Sequence, residues 1–181
     1  ICIMPKAKLP FKEFTWTSKL AYVAGLLATD GNLSGDGRHI TMRSTDKDLL
    51  QTFRECLNLN SKIGYTEYES SKDNYTRRRC YRVQFSNVQL YNWLMKIGIT
   101  PAKTYTIGEI KIPDELFRDF LRGHLDGDGS ICGYIDRYNS YRGRVYAANR
   151  LFVRFISASQ AHIHWLYKKI NELAHLGGAL I

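Results

Sequence analysis

The chain has 181 residues, of which 44% are hydrophobic and four are proline, a composition typical of a folded protein with one ordinary domain or two small repeats around a shared core. Its 26 lysine and arginine residues outnumber 17 acidic residues, and the net charge of +9 favours a polyanionic partner, although ribosomal proteins and ordinary basic enzymes share this property. The longest apolar run, residues 20–28, is far shorter than the roughly 20 residues that cross a bilayer, so we expect no membrane partner.

The first elements of the chain are an arm and a helix. Residues 1–15 are basic and irregular, and we predict an N-terminal arm there. Thr17 or Ser18 then caps a helix that ends near residue 30, and a glycine-rich turn leads into an alternating strand over 39–43.

A second amphipathic helix is predicted to start at residues 45–46, and two strands over 62–69 and 79–86 follow it, then a helix over 88–97. Residues 16–99 therefore have the order helix, two strands, helix, two strands, helix.

The same order starts again after a linker at residues 100–113. Within 114–181 we predict a helix capped by Asp114, two strands and a further helix from Ser159. The strands cover 130–136 and 151–157. Two strands and a helix of the first repeat have no counterpart, so we expect the second repeat to be incomplete, as in a fragment or a natural truncation.

Two stretches of the chain, residues 20–33 and 118–131, are related in sequence. Aligning Asp30 with Asp128 gives one shared pattern: aromatic, aliphatic, any, Gly, any, Leu, any, small, Asp, Gly, small polar, aliphatic. Each copy predicts a short helix that ends at Asp-Gly, where the glycine is free to adopt a left-handed or tight-turn conformation.

Small residues lie four positions apart in both predicted helices, as Gly25 and Thr29 and as Gly123 and Gly127. Such stripes allow the two helices to pack closely. Packing there would place Asp30 and Asp128 side by side at the negative ends of two helix dipoles. The carboxylates and the last helix carbonyls would then form a pocket for divalent cations.

The two copies resemble the LAGLIDADG motif of homing endonucleases and their maturase relatives. Residues 121–129, LRGHLDGDG, are the closer match, and residues 23–31, VAGLLATDG, are the looser one because Ala28 replaces the earlier acidic residue of the motif. The resemblance implies an α+β fold of αββαββα pseudo-repeats, with antiparallel sheets forming a DNA-binding saddle and the two motif helices packed at the repeat interface. It also implies that Asp30 and Asp128 are metal ligands.

The same resemblance implies an enzyme. We expect a single-chain monomer with pseudo-twofold symmetry that cuts a long asymmetric DNA duplex with Mg²⁺, with two or more divalent ions at the repeat interface. In this family a basic residue that follows the last helix of a repeat reaches the cleavage pocket, and Lys103 has that position. Polar residues near the start of the middle helix organise solvent, and Asp46 and Gln160 correspond to them. We therefore assign candidate catalytic roles to Asp30, Asp128, Lys103, Asp46 and Gln160.

Arginines are concentrated in the predicted strands and their loops, interleaved with tyrosines, although any single arginine is more often part of a solvated sheet face. An antiparallel sheet fits the major groove, where arginine pairs with guanine while other basic side chains contact phosphates. The candidate DNA-binding residues are Arg38, Arg43, Lys62, Arg77, Arg78, Arg79, Arg82, Arg137, Arg142, Arg144, Arg150 and Arg154.

The sequence leaves two other functions open. The chain could be an RNA maturase that assists intron splicing, or a regulator that binds DNA without cutting it. An intein-borne nuclease is less favoured, since no splicing nucleophile or terminal His-Asn is visible, so an intron-encoded protein is the expectation.

The cysteines and two of the histidines give no metal site. No cysteine pair has zinc-ligand spacing, so we expect reduced intracellular thiols, with the cytoplasm and an organelle not distinguished. The two histidines have no cysteine or carboxylate partners at ligand spacing, so we expect them to be structural. The residues concerned are Cys2, Cys56, Cys80, Cys132, His162 and His164.

Overall fold

The computed structural model describes residues 14–69, 77–137, 147–175 and 177–180. Residues 1–13 of the arm predicted over 1–15, and Arg142 and Arg144 of the candidate DNA-binding set, lie outside these ranges. The side chains of Arg77 and Arg78 are also not described.

Thirteen elements follow one another in the described part of the chain, and they confirm the predicted α+β class with antiparallel sheets. The first seven are α1 Ser18–Thr29, β1 Gly31–Leu33, β2 His39–Ser44, α2 Lys47–Cys56, β3 Gly64–Glu69, β4 Arg77–Ser86 and α3 Val88–Ile97. Two 3-10 helices, Lys103–Tyr105 and Asp114–Leu116, then precede α4 Phe117–Asp128, β5 Ser130–Asp136, β6 Ala148–Arg154 and α5 Gln160–Ala174. None of the helices is long and apolar enough to cross a membrane, within the ranges described.

The first four strands form one antiparallel sheet in the order β1-β2-β4-β3. Ile40 pairs with Phe85 and Met42 with Val83, and these side chains face the helices. Ile40, Met42 and Val83 are fully buried. Because side chains alternate along a strand, the residues between them face the other side of the sheet. This side, the open face of the first sheet, carries the polar residues discussed below.

The motif helices α1 and α4 cross at their glycines. A Cβ atom built on Gly25 would overlap the carbonyl oxygen of Phe120, and one built on Gly123 would overlap the carbonyl oxygen of Tyr22. Only glycine permits this backbone approach. The crossing is also tied by a 2.7 Å hydrogen bond in which the Tyr22 hydroxyl donates to Asp126.

Gly31 and Gly129, which follow the two acidic helix ends, are required for a different reason from the one predicted. Neither Gly31 nor Gly129 has a positive φ, and Gly129 is extended (φ −87°, ψ 173°). Each starts a turn directly into a strand, and a Cβ there would lie 2.5 to 2.6 Å from the Cα of Leu27 or Leu125. The requirement is therefore steric, because the chain turns back over the preceding helical turn.

Asp114 does not cap α4, contrary to the prediction. It begins a 3-10 helix, and Leu116 precedes α4 without a side-chain cap. Asp114 instead forms an ion pair with Lys169 of α5, with 2.5 Å between the carboxylate and ammonium. Its charge ties the start of α4 to α5.

The second sheet contains β5 and β6 in antiparallel register. Unlike the first sheet, it exposes apolar residues on its helix-side face: Ile131 is 62% exposed, whereas Leu33, its counterpart after the first motif, is 2% exposed. In the first half, α3 contacts β2, and the Tyr91 hydroxyl of α3 donates a 2.7 Å hydrogen bond to the Ser34 carbonyl beside Leu33.

Replacing Gly123 with alanine should destabilise the protein strongly. The added methyl group meets the Tyr22 carbonyl in the helix crossing, so we expect Gly123→Ala to reduce the free energy of unfolding by about 3 kcal/mol or more. Gly35→Ala is the control, since a Cβ there meets nothing within 4 Å. Urea unfolding monitored by circular dichroism measures both, and equal midpoints for the two variants would contradict the close crossing.

Candidate functional site

Two carboxylates lie together where the motif helices end. Asp30 follows α1, and its backbone N–H still donates to the Leu26 carbonyl at 3.0 Å, so its position is fixed by the helix. Asp128 is the last residue of α4. Burial, and secondarily the negative charge of Asp128, raise the pKa of Asp30 to about 6, while Lys103 opposes this shift. The two groups are thus close enough to repel one another.

Lys103 is buried beside these carboxylates. It lies on the 3-10 helix Lys103–Tyr105, is 7% exposed, and donates hydrogen bonds of 3.0 and 2.7 Å to the carbonyls of Thr29 and Gly31. These carbonyls flank Asp30 in the chain. Burial lowers the pKa of Lys103, while the charges of Asp128 and Asp30 raise it. The structure therefore brings together the three residues Asp30, Asp128 and Lys103 that the sequence singled out.

The donor set fits a hard divalent cation. No group of three or more histidine, cysteine or acidic residues that could hold a metal ion occurs in the described ranges, at this site or any other, so the candidate ligands here are only two carboxylates and nearby backbone carbonyls. All are oxygen donors, which Mg²⁺ prefers, and water completes such sites. Burial, and then the repulsion by Asp128, raise the pKa of Asp30, and a bound cation would relieve that repulsion.

A pocket connects Asp30 to the open face of the first sheet. It is lined by Asp30, Asn32, Thr41 and Arg43. Thr41 pairs with Asn32 on one side and with Gln84 on the other, so these three residues form a polar row across the sheet. The carboxylate cluster thus opens onto a surface that carries hydrogen-bonding side chains.

Arg43 and Arg82 form the basic part of this open face. They are direct cross-strand partners, and both are exposed. Arg79 is not on this face, although it lies in the same run of basic residues as Arg82. Because Arg79 is an odd number of residues away from Arg82 on the same strand, its side chain faces the other side of the sheet. There its guanidinium lies over the Tyr65 ring, 4.8 Å from the centroid, and pairs with Glu67 at 3.0 Å.

The remaining basic candidates are spread over both halves. Arg38 lies in the turn before β2 and pairs with Asp36 at 3.5 Å, and Lys62 is exposed but precedes β3 instead of belonging to it. Arg137 follows β5 and is exposed. Arg150 and Arg154 are exposed on β6, where Arg150 pairs with Asp136 at 3.2 Å.

Asp46 and Gln160 lie at the starts of α2 and α5, but their positions are not equivalent, because the residue of α5 that corresponds to Asp46 is its N-cap Ser159. Asp46 is the N-cap of α2, and its carboxylate accepts hydrogen bonds from Asp48 N and Leu49 N at 2.8 and 3.2 Å. Gln160 is the first residue of α5 and is exposed. The capping hydrogen bonds explain the position of Asp46 without a catalytic role. A solvent-organising role for Asp46 or Gln160 therefore stays a prediction.

A buried histidine pair next to the site was not predicted from the sequence. His124 of α4 and His162 of α5 stack with ring centroids 5.3 Å apart, and each is 1% exposed. His162 Nδ1 lies 2.7 Å from the Gly108 carbonyl, whereas His124 Nδ1 and His162 Nε2 have no hydrogen-bond partner. This packing agrees with the structural role expected for His162, while His124 was hidden within the motif.

Two crossed helices that end at acidic residues, each followed by an antiparallel sheet, define the LAGLIDADG fold class. Comparison with known proteins agrees. Residues 17–98 match the sequence model of the LAGLIDADG-like domain. The N-terminal LAGLIDADG domain of DUF199/WhiA is 13% identical, with a TM-score of 0.52 over 96% of this chain and 72% of that one. The homing endonuclease I-WcaI bound to its DNA recognition sequence is 14% identical, with a TM-score of 0.51 over 89% of this chain and 71% of that one.

A curated relative also matches. The B subunit of the A-type ATP synthase of Methanopyrus kandleri is 26% identical over 113 residues, which are 62% of this chain. The chain spans only 10% of the length of that relative. Residues 17–98 therefore match the LAGLIDADG-like domain in sequence, and the chain shares the LAGLIDADG fold of the two solved structures.

The histidine pair should make the protein sensitive to acid. Burial first, then the charges of His162 and Lys103, lower the pKa of His124 to about 4, and burial also lowers the pKa of His162. Unfolded histidine has a pKa near 6.5, so this stability is complete above about pH 6.5 and is lost as the pH falls towards 4. We expect a loss on the order of 1 to 3 kcal/mol over that range.

Unfolding by urea at several pH values measures this effect. His124→Phe keeps an aromatic ring but cannot take up a proton, so its stability should fall less between pH 6.5 and 4. The exposed His164→Phe, on the same helix as His162, is the matched control and should behave as the parent protein does. An undiminished pH dependence in His124→Phe would contradict this assignment.

Proposed function

We propose that this chain is a site-specific homing endonuclease that hydrolyses phosphodiester bonds of a long asymmetric double-stranded DNA site with Mg²⁺. The observation that carries the proposal is the cluster of Asp30, Asp128 and buried Lys103 at the crossing of the motif helices. A fold that only bound nucleic acid through its strands would have no need to bring two repelling carboxylates together at this point.

The roles of these residues follow from their chemistry. Asp30 and Asp128 would hold the divalent ions, with the carbonyls at the helix ends as further oxygen ligands. Bound Mg²⁺ supplies a nucleophilic water, charge neutralisation and support for the leaving oxygen in phosphodiester hydrolysis. Because one carboxylate comes from each half, one cluster serves both strands of a duplex placed across the crossing.

Lys103 has one N–H group left after its two hydrogen bonds to carbonyls. We assign this donor to the scissile phosphate or to the water next to it, where a fixed positive charge stabilises the transition state. Asp46 and Gln160, at the starts of the middle helices, would order solvent around the same phosphates.

The substrate partner is double-stranded DNA, and the acting species is a monomer with pseudo-twofold symmetry. The open face of the first sheet begins at the pocket beside Asp30 and carries Arg43 and Arg82, so a duplex lying on it reaches the carboxylates. The structural neighbour I-WcaI is described as bound to its DNA recognition sequence. The fold by itself does not imply cleavage, and the feature that supports cleavage is the carboxylate cluster.

The alternative function is that of an RNA maturase or of a DNA-binding protein without cleavage. A different observation favours it, which is that the second sheet exposes a stacked aromatic pair, Tyr134 and Phe152. Exposed aromatic rings stack on unpaired bases in many RNA-binding proteins.

Removing either carboxylate should separate cutting from binding. We expect Asp30→Asn and Asp128→Asn each to abolish cleavage while DNA affinity stays within a few-fold of the parent. Because burial and the charge of Asp128 raise the pKa of Asp30 in the fold, its ionisation at neutral pH costs folding stability. Asp30→Asn should therefore also raise the metal-free unfolding free energy by on the order of 1 kcal/mol.

Cleavage of a randomised duplex library with Mg²⁺, against Ca²⁺, measures the activity, and gel shift measures binding. Asp36→Asn, in the turn at the other end of the β1–β2 hairpin, is the control and should cut normally. Cutting by both motif variants would remove the proposed metal site. Sequence-specific binding without cutting by the parent would favour the non-cleaving alternative.

The open face of the first sheet makes a second, independent prediction. Neutralising Arg43 and Arg82 together, as Arg43→Gln and Arg82→Gln, should lower the slope of log affinity against log salt by up to about 2, because each arginine that neutralises a phosphate adds about one to it. Arg79→Gln is the control, because Arg79 lies on the opposite face and pairs with Glu67. Fluorescence anisotropy at several salt concentrations gives the slopes, and a larger effect from Arg79 would place the DNA elsewhere.

A further inference from the structure

The open faces of the two sheets differ in chemical character. In the first sheet this face carries Asn32, Thr41 and Gln84 with two arginines, so it is polar and can form hydrogen bonds. The corresponding face of the second sheet follows from the alignment of Asp30 with Asp128, since Ser130 then takes the place of Asn32. Alternation along β5 adds Cys132 and Tyr134 to it.

The register of the second sheet completes this face. Phe152 pairs with Cys132, Arg150 pairs with Tyr134, and Arg154 pairs with Ser130. The Tyr134 and Phe152 rings stack at 5.6 Å between centroids with 4° between their planes. They are 49% and 43% exposed, and Cys132 is exposed as well.

The charges around this apolar patch indicate what it contacts. Arg150 and Arg154 flank the rings on the same face, where Arg150 also pairs with Asp136 at 3.2 Å. A basic rim around an apolar centre matches a base edge with a phosphate on either side. Within a duplex major groove, the apolar group that distinguishes one base from another is the C5 methyl of thymine. Aromatic and other apolar side chains contact that methyl, whereas arginine reads guanine and the Asn or Gln amide reads adenine.

We propose that the second sheet recognises thymine methyl groups through Cys132, Tyr134 and Phe152, whereas the first sheet recognises polar base edges. The DNA site would then have one thymine-rich half and one half read by hydrogen bonds. This inference rests on the proposed DNA-binding function. It deepens that function by naming the base chemistry of each half-site.

Strand geometry gives the position of the contacts. Cys132 and Tyr134 are four and six residues beyond Asp128, or about 13 and 20 Å along an extended strand. At about 3.4 Å per base pair, the methyl contacts fall roughly 4 to 6 base pairs from the phosphate at Asp128.

Replacement of thymine by deoxyuridine tests the proposal, because it removes the methyl group and nothing else. The probe is a duplex enriched from a randomised library by binding to the full chain in Ca²⁺. Each thymine is replaced in turn, and affinity is measured by anisotropy. We expect about 3- to 5-fold weaker binding for each contacted methyl in one half-site, and no change for thymines in the other half.

Protein variants assign the effect to this face. With Phe152→Ser or Tyr134→Ser, deoxyuridine replacement in the sensitive half should no longer weaken binding. Val153→Ser is the matched control: Val153 is 49% exposed on the same strand but faces the other side of the sheet, so the variant should keep the sensitivity. The substituted side chains are all exposed, and circular dichroism confirms that each variant is folded.

The outcomes separate this inference from the proposed function. Specific duplex binding that no deoxyuridine weakens, or that loses its methyl sensitivity equally in Val153→Ser, overturns the inference and leaves DNA binding intact. Tighter binding to a single-stranded RNA library than to any duplex overturns it in favour of base stacking by Tyr134 and Phe152. Absence of binding to any duplex overturns the proposed function and this inference together.

Discussion

The close crossing of α1 and α4 is the contact on which the remaining structure depends. Gly25 and Gly123 let the two helix backbones touch, and a single methyl group on either would have to displace a carbonyl oxygen. Helices that pack this closely have little freedom to slide, since an interdigitated interface is deformed only at a cost. The crossing therefore fixes where both helices end. The positions of Asp30 and Asp128 follow from backbone packing and not from any contact between the carboxylates.

That arrangement has an electrostatic cost, which the protein offsets locally. Burial and the neighbouring charge of Asp128 disfavour the ionised form of Asp30. Lys103 supplies a positive charge nearby, although its own burial lowers its pKa. One cationic group cannot balance two carboxylates, so the site keeps an excess of negative charge when both are ionised. Lys103 is held by two carbonyls and not by a carboxylate, which leaves both acidic groups available as ligands. A site that kept its charges fully paired would bind a cation less well.

Most of the fold was accessible from the sequence because its signals are local. The α3 bounds at Val88 and Ile97 agree with the prediction, since Asn87 caps the start and Gly98, at φ 108°, ends the helix. Asp46 likewise marks the start of α2. The errors occurred where a tertiary contact outweighs local preference. Aspartate is a residue type that commonly caps helices, but Asp114 instead pairs with Lys169, which lies far along the chain on the last helix.

In the candidate site, too, the sequence indicated the residues that have local signals but not those that depend on long-range contacts. The repeated motif indicated Asp30 and Asp128, and the family resemblance, which places a basic residue after the last helix of a repeat, indicated Lys103. Which arginines share a face depends on strand register, and a stretch with several consecutive arginines gives no alternation from which to read it. Arg79 and Arg82 therefore look alike in the sequence although they lie on opposite faces. The His124–His162 stack joins α4 to α5, and no short-range pattern links those two positions.

The pseudo-repeat uses different parts of the fold for the carboxylate site and for the strand faces that are proposed to contact DNA. The proposed chemistry uses one carboxylate from each half, and the glycine crossing places the two at equivalent positions through backbone contacts that a side chain at Gly25 or Gly123 would obstruct. The proposed recognition of an asymmetric DNA site requires different side chains in the two halves. Side chains on an open strand face can differ without disturbing the core, because only the alternate positions pack against the helices. Thus Asn32 and Ser130 follow the two Asp-Gly turns at equivalent places, while the faces that begin there diverge into an amide and arginine surface and an aromatic one. The two halves are alike where the backbones of α1 and α4 contact each other, and they differ where side chains of the strands face the solvent.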